Sequence, residues 1–411
     1  MRAVHSCAEG HTMRVLVAHN RYSSRVPSGE NLAVDDEVRW LVAAGVDVHR
    51  HEVSNDDLVD PGPLARVRSG VDGIWSLPAR RRFLTALDEV RPDVVHVHNL
   101  FPLLSGSVPA AARRRGVPVV WTVHNRRTRC VGGGWFRDGQ ACHDCRPGWR
   151  VPGVVHGCYA GSRVASGVVT VGSSLFRTST RRHDGVTAIA ISETMARWVR
   201  SSTGIERSRV RTKFNGVAGP GDAPPPAAEQ RAFVFLGRLS AYKGVHLLLD
   251  AWRRADVDAE LRIVGDGDLA GDVEAAAAAD PRIRWVGQVD ASDIGPHLVA
   301  ARAVVVPAVW VEPYGRTAAE ALAYSRPVIT TGTGGLAEIV DDASGWITGP
   351  SVEAMADALR EAAASDEAVA RRGAHAATRH AAHFSPTATT AALIRIYERA
   401  VEATARRRSR A

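Results

Sequence analysis

The sequence predicts an α/β protein made of two doubly wound, Rossmann-like domains that face each other across a cleft. Short apolar runs ending on Gly, His or Asn alternate with stretches of helical periodicity, the pattern of sheets covered by helices on both faces. Pro and Gly crowd together in Gly219-Pro-Gly-Asp-Ala-Pro-Pro-Pro-Ala-Ala-Glu-Gln230, which reads as the linker between the halves. The 411 residues, 45% hydrophobic and 23% charged, suffice for two globular cores. The expected domains are residues 13–218 and 231–385, joined by 219–230 and followed by 386–411.

The first domain opens with Met13-Arg-Val-Leu-Val-Ala-His19-Asn20, a short buried strand, so residues 1–12 are either a loose tail or lie upstream of the true start. A turn at Ser28-Gly29-Glu30 leads into a helix whose apolar positions include Val34, Val38, Leu41 and Val42. Pro92-Asp-Val-Val-His-Val-His98-Asn99 and Pro118-Val-Val-Trp-Thr-Val-His124-Asn125 are further strands, each ending on a histidine beside an asparagine. Thr187-Ala-Ile-Ala-Ile-Ser192 is another, and Lys213-Phe-Asn215-Gly216-Val217 closes the domain.

In the second domain the strand Phe233-Val-Phe-Leu-Gly237 is followed by Arg238 and Lys243, two fixed cations that suit a diphosphate. Leu261-Arg-Ile-Val-Gly265 stops on an Asp266-Gly267 turn, and Arg284-Trp-Val-Gly287-Gln288-Val289 supplies the next strand. The run Ala303-Val-Val-Val-Pro307 then precedes Glu312-Pro-Tyr314-Gly315-Arg316-Thr317-Ala-Ala-Glu320. There two carboxylates flank a Gly turn that opens a helix. Ligands of open α/β sheets collect at strand carboxyl ends, and a helix N-terminus offers unpaired N–H groups and positive potential to an anion. The alanines at 275–279 fit a helix. Residues 386–405 read as a terminal helix with Ala391, Leu393, Ile394 and Tyr397 turned inward.

This order of motifs resembles the retaining GT-B glycosyltransferases of family 4, over most of residues 13–390. The resemblance implies a donor site for a nucleotide diphosphate sugar built from Ser28, Gly29, Gly237, Arg238, Lys243, Gly265, Asp266, Gln288, Val289, Glu312, Tyr314, Gly315, Arg316, Thr317 and Glu320. Glu312 would hold sugar hydroxyls near the anomeric carbon and Glu320 the ribose diol, since a carboxylate accepts two hydrogen bonds. His124 would lie beside the sugar across the cleft, with His98 the weaker candidate. The catalytic set expected is His124, Glu312, Arg238 and Lys243, the cations meeting the charge that builds on the departing phosphate. The terminal helix would cross back to the first domain. One Gly in the first loop, Phe214 before Asn215 and Tyr314 in place of Phe depart from the family pattern without removing a charged group.

Asp-x-Asp occurs at Asp256-Val-Asp258 and Asp266-Gly-Asp268, neither of which is read as the Asp-x-Asp of the metal-dependent transferases, so no catalytic metal is expected. Nor does a glycosidase-like carboxylate pair stand out, so retention would come by same-face attack with the leaving phosphate taking the acceptor's proton. Acceptors expected are hydroxyls of a glycan, a lipid-linked intermediate or a secondary metabolite. An epimerase of the same architecture and a noncatalytic nucleotide-sugar binder are the alternative functions.

Cys130-x11-Cys142-His-Asp-Cys145-x12-Cys158 lies in an insert at about 126–160, and its Cys-x2-Cys bite suits a structural zinc. Disulfides and uncoordinated thiols are the other readings, and Cys7 stands outside the set. The formal charge is +8, with basic clusters at Arg80–Arg82, Arg113–Arg115, Arg126–Arg127 and Arg406–Arg410. They are either a solvated face or a contact with an anionic bilayer, at about 1 kcal/mol per cation. Nucleic acid is not expected, because no aromatic residues interleave with them. No apolar stretch approaches the roughly 20 residues of a membrane span, and the N-terminus lacks a signal-peptide core, so a cytoplasmic protein is expected.

Overall fold

The computed structural model describes residues 12–24, 28–58, 70, 72–145, 149–181 and 185–409. The expected tail up to residue 11, with Cys7, and Arg410 of the last basic cluster lie outside them. In chain order the strands are β1 (Arg14–Arg21), β2 (Asp47–Ser54), β3 (Val94–Val97), β4 (Val119–Val123), the short β5 (Phe136–Arg137) and β6 (Gln140–Ala141), β7 (Val186–Ala190) and β8 (Val210–Thr212). Then come β9 (Ala232–Leu236), β10 (Glu260–Val264), β11 (Ile283–Gly287), β12 (Ala301–Val306), β13 (Val328–Thr330) and β14 (Gly345–Ile347).

These strands form two parallel six-stranded sheets, ordered β2-β1-β3-β4-β7-β8 and β11-β10-β9-β12-β13-β14. The second has the Rossmann order, whereas the first begins as flavodoxin-like sheets do. Central strands such as β1 and β4 are apolar on both faces because helices cover both. The sequence reading missed β2, whose Asp47-Val-His-Arg-His-Glu-Val-Ser54 sits half-buried at a sheet edge and has no apolar run. It also missed β8, β13 and β14, each three residues long and too short to show a period.

Chain order reverses between β1 and β3 in one sheet and between β9 and β12 in the other, and such switch points open crevices at the strand ends. At the first, the Asn20 N–H donates to Asn99 O at 2.7 Å and Asn99 Nδ2 to Asn20 O at 2.8 Å. At the second domain's strand ends the backbones nearly touch. Gly265 has φ +142, and a Cβ there would lie 1.9 Å from Gly237 O.

The halves are joined by polar contacts as well as by a shared apolar cluster that includes Met195, Trp198, Leu336, Ile339 and Phe384. Glu338 of the second half caps the helix Glu193–Ser202 of the first, accepting from the N–H groups of Glu193 at 2.5 Å and Thr194 at 2.7 Å. Arg316 bonds Asp36 at 2.8 Å, and Ser192 Oγ donates to Pro313 O at 2.7 Å. The helix Pro386–Arg408 lies on the first sheet, where Leu393, Ile396 and Tyr397 share a core with Val15, Val17, Val34 and Leu41.

Beneath the first switch point lies a buried polar cluster. Glu37, from the helix Gly29–Ala43, is 2.5 Å from Lys213 Nζ, 3.2 Å from His96 Nδ1 and 3.4 Å from His98 Nε2. Tyr397 Oη lies 2.6 Å from His96 Nδ1, and Thr122 Oγ1 2.8 Å from His96 Nε2. Burial alone would raise the Glu37 pKa, but the Lys213 ammonium holds it well below the usual carboxylate range. Burial pushes His96 down to about 4 and His98 to about 3.

Two outcomes follow from that cluster. In the unfolded chain each imidazole takes a proton as pH falls through about 6.5, whereas the folded protein keeps both neutral, so stability present at neutral pH is lost below that value. The urea midpoint should fall between about pH 7.5 and pH 5, with a loss on the order of 2 kcal/mol for each of His96 and His98. A midpoint that does not move would contradict the cluster. Lys213→Met should destabilise the fold by about 3–5 kcal/mol by stranding the buried carboxylate, and adding Glu37→Gln should recover much of that loss in the same denaturation assay.

Candidate functional site

The second domain presents a paired lysine and glutamate at its switch point. Lys243 Nζ lies 2.9 Å from Glu312 Oε2, which also accepts the indole N–H of Trp310 at 2.7 Å. The Lys243 ammonium sits 5.6 Å from the centre of the Trp310 ring. Glu312 is 8% exposed, so the pair is held in a sheltered, structured setting.

Its backbone is held by residues the sequence reading passed over. Glu312 forms a parallel bridge with Gly334, and the Gly335 N–H donates to Glu312 O at 2.7 Å. Gly334 has φ +66, and a Cβ there would stand 2.4 Å from Glu312 O, so a side chain would push the loop apart. Thr331 and Thr333 both donate to Ala308 O, at 2.5 and 2.9 Å. The glycine-rich Thr331-Gly-Thr-Gly-Gly335 after a strand was the available signal.

The helix Arg316–Ala323 starts at Gly315, and no side chain caps its first-turn N–H groups. Thr317 Oγ1 donates to Leu236 O at 3.3 Å, which docks this turn on the end of β9. Arg238, two residues after β9, is exposed. Arg316, expected among donor contacts, instead bridges Glu320 Oε1 at 2.8 Å and Asp36 of the first domain at 2.8 Å. Burial raises the Glu320 pKa, against the pull of Arg316. Tyr314 is also differently placed: it is buried against Phe214, and its hydroxyl donates to Asn215 O at 2.5 Å, which makes it a joint between the halves. Gly237, Gly265, Asp266, Gln288 and Val289 gather at the ends of β9, β10 and β11, where Asp266 Oδ1 accepts the Gly267 N–H at 2.7 Å.

On the first domain His124 Nε2 and His98 Nδ1 are 3.0 Å apart with their rings stacked. His98 is 3% exposed and touches Glu37, so it stands behind His124. Burial, reinforced by His98, holds His124 well below the ordinary histidine range. Ser28 caps the first helix, accepting the Asn31 N–H at 3.2 Å, and a Cβ at Gly29 would meet nothing within 4 Å. Glu30, one residue on, accepts from Tyr22 Oη at 3.1 Å and Asn125 Nδ2 at 3.4 Å.

An apolar cavity of about 90 Å³ opens beside His124, lined by Trp121, Phe176, Leu100 and Arg127. A larger one of about 430 Å³ runs between the halves from Glu30 and Tyr22 to Tyr242 and Trp310, and Cys130, Cys142, Cys145 and Cys158 all line it. Arg126 and Arg127 do not form a surface cluster. Arg126 is 1% exposed and donates to Val311 O at 2.7 Å, and Arg127 lines both cavities, because the chain after β4 turns into the cleft.

Comparison with known proteins agrees with this geometry. Residues 230–365 match the family described as Glycosyl transferases group 1, and residues 28–218 match Glycosyltransferase Family 4. The chain is 28% identical over 391 residues to a glycogen synthase of Mycobacterium tuberculosis, covering 90% of this chain and 82% of that one. It is 25% identical over 353 residues to an alpha-maltose-1-phosphate synthase of Mycolicibacterium smegmatis, covering 80% and 82%. Its fold is similar to that of a sucrose-phosphate synthase from Thermosynechococcus elongatus, with a TM-score of 0.65 and 20% identity over 94% of this chain and 98% of the other. Anabaena HepE in complex with UDP superposes with a TM-score of 0.64 at 16% identity, over 93% and 99%. With both halves matched and the two sheets facing across a common cleft, the chain belongs to the group 1 glycosyltransferases of GT-B type, enzymes that transfer a sugar from a nucleotide-sugar donor to an acceptor.

Proposed function

We propose that the chain is a retaining hexosyltransferase that uses a UDP- or GDP-sugar and glycosylates a hydroxyl of a glycan, a lipid-linked intermediate or a secondary metabolite. The observation that carries this reading is the Lys243–Glu312 pair at the second switch point, whose neighbours Tyr242 and Trp310 line a cavity shared with Asn125, the residue after His124. Lys243, Arg238 and the uncapped first-turn N–H groups after Gly315 offer positive charge to a diphosphate as it departs. Glu312, fixed by Trp310 and Gly335, accepts from sugar hydroxyls, and Glu320 accepts from the ribose. His124, neutral in its buried setting, contacts the sugar or the incoming hydroxyl. The acceptor's proton passes to the departing phosphate as the new glycosidic bond forms on the same face.

Anabaena HepE, of similar fold, is described in complex with UDP-glucose, which makes UDP-glucose one donor to include in the test. The reading also places the protein in the cytoplasm, in polysaccharide biosynthesis, and in peripheral contact with an anionic membrane. Exposed Trp149, Val151, Val155 and Val164 beside exposed Arg163 support that contact. Among the described residues no helix is long and apolar enough to cross a membrane.

A panel of UDP- and GDP-sugars tests the donor class. The right donor raises the melting temperature and releases its nucleoside diphosphate only when an acceptor is added. A panel in which no nucleotide sugar shifts the melting point would overturn the reading. Lys243→Ala and Glu320→Ala should each weaken binding of the free nucleoside diphosphate about tenfold or more in calorimetric titration, because each removes a charged hydrogen-bonding partner. Glu312→Ala and His124→Ala should instead lower kcat by about 10²–10³ while nucleotide affinity stays within about threefold. A His124 variant with normal turnover would remove that residue from the reaction.

A further inference from the structure

The four cysteines of the insert belong neither to the donor site nor to the histidine cluster. All are half-buried, none is in a disulfide, and all four line the cavity between the halves. The segment that carries them has little else to fold on. Among the described residues its regular structure is the two-residue pair β5 and β6 and the helix Val151–Val155, and Trp149 is 60% exposed. So little regular structure leaves much of the entropy of ordering the insert to be offset by side-chain contacts or a bound ion.

The sulfurs are nevertheless set in a prepared environment. The backbone at Gly153 closes on Cys145 Sγ. A Cβ at position 153 would lie 3.2 Å from that sulfur and 2.5 Å from Val131 Cγ2, so a glycine is what lets the chain close over it. Four soft ligands with one Cys-x2-Cys bite suit a closed tetrahedral zinc site. Among the described residues only Glu37, His96 and His98 bring three ligand atoms within 4.8 Å of one another, and Lys213 already neutralises that group. The sulfurs are more widely spaced, so an ion would draw in the irregular loop after β6 that carries Cys142 and Cys145.

The insert also reaches the residues that hold the Lys243–Glu312 pair. Phe136 packs edge-on to Tyr242, at 5.9 Å between ring centres, and Tyr242 precedes Lys243. A Cβ at Gly134 would be 3.5 Å from the Trp310 ring, whose indole bonds Glu312. Arg126, at the start of the insert and over the Trp135 ring at 4.9 Å, bonds Val311 O.

We propose that Cys130, Cys142, Cys145 and Cys158 bind one zinc ion as four thiolates, and that this ion orders the insert as the acceptor-side wall of the cleft. Only the second half of this statement rests on the transferase reading of the cleft. Elemental analysis of the full chain, purified under reducing conditions, should find one zinc per chain. A mercurial thiol reagent should release it as four cysteines react, and cobalt exchanged into the site should show thiolate-to-metal charge-transfer bands. Cys142→Ser/Cys145→Ser should lose the metal and raise the acceptor KM at least tenfold, with nucleoside diphosphate binding within about threefold of the parent. If that variant does not fold, the thiol-release and cobalt experiments on the unaltered chain decide the site. Zinc-free protein with four freely reactive thiols, or with disulfides found by mass spectrometry, would overturn the site. Stoichiometric zinc whose loss leaves the acceptor KM unchanged would overturn its role in the wall.

Discussion

The buried ion pair between Glu37 and Lys213 is the interaction on which the first half of the cleft depends. One carboxylate, 7% exposed, gathers the first helix, the residue after β8, and His96 and His98 at the end of β3. Through His96 it also meets Tyr397, and so the helix that returns from the far end of the chain. A buried charge that loses its partner is costly, so these elements are held together. His124 is fixed from behind by His98, so its position in the cleft is set by charge neutralisation deep in the sheet.

The second half solves a related problem differently. Lys243 and Glu312 lie 2.9 Å apart, with the lysine the more exposed of the two. Glu312 is immobilised through its backbone by Gly334 and Gly335, leaving its carboxylate to Lys243 and Trp310. The two walls are then aligned by contacts that cross between the halves: Glu338 on a helix N-terminus, Arg316 on Asp36 and Tyr314 on Asn215. The Arg316 guanidinium that bonds Asp36 also bonds Glu320 of its own helix.

Much of this was legible in the sequence because strands buried on both faces read as continuous apolar runs. Residues that follow a strand directly are also placed by it, as with Gly237, His124 and the stretch leading to Glu312. What was not legible depends on distant partners. Glu37 reads as one polar position of an amphipathic helix, and nothing local announces Lys213, 176 residues away. Tyr314 and Arg316 were assigned to the donor by their place in a motif, but their partners come from the other half of the chain. Arg126 and Arg127 looked like part of a surface cluster because adjacent arginines usually are, and only the path of the chain after β4 carries them into the cleft. The edge strand β2 escaped notice for a related reason, since its half-buried residues carry no hydrophobic pattern.

The central claim is that Lys243 and Glu312, facing His124, hold a nucleotide sugar so that the acceptor enters on the face the nucleotide leaves. The anomeric configuration of the product, read by proton NMR from an α-linked nucleotide-sugar donor, tests that claim most directly. The account predicts an α-glycosidic product, and a β-linked product would contradict it.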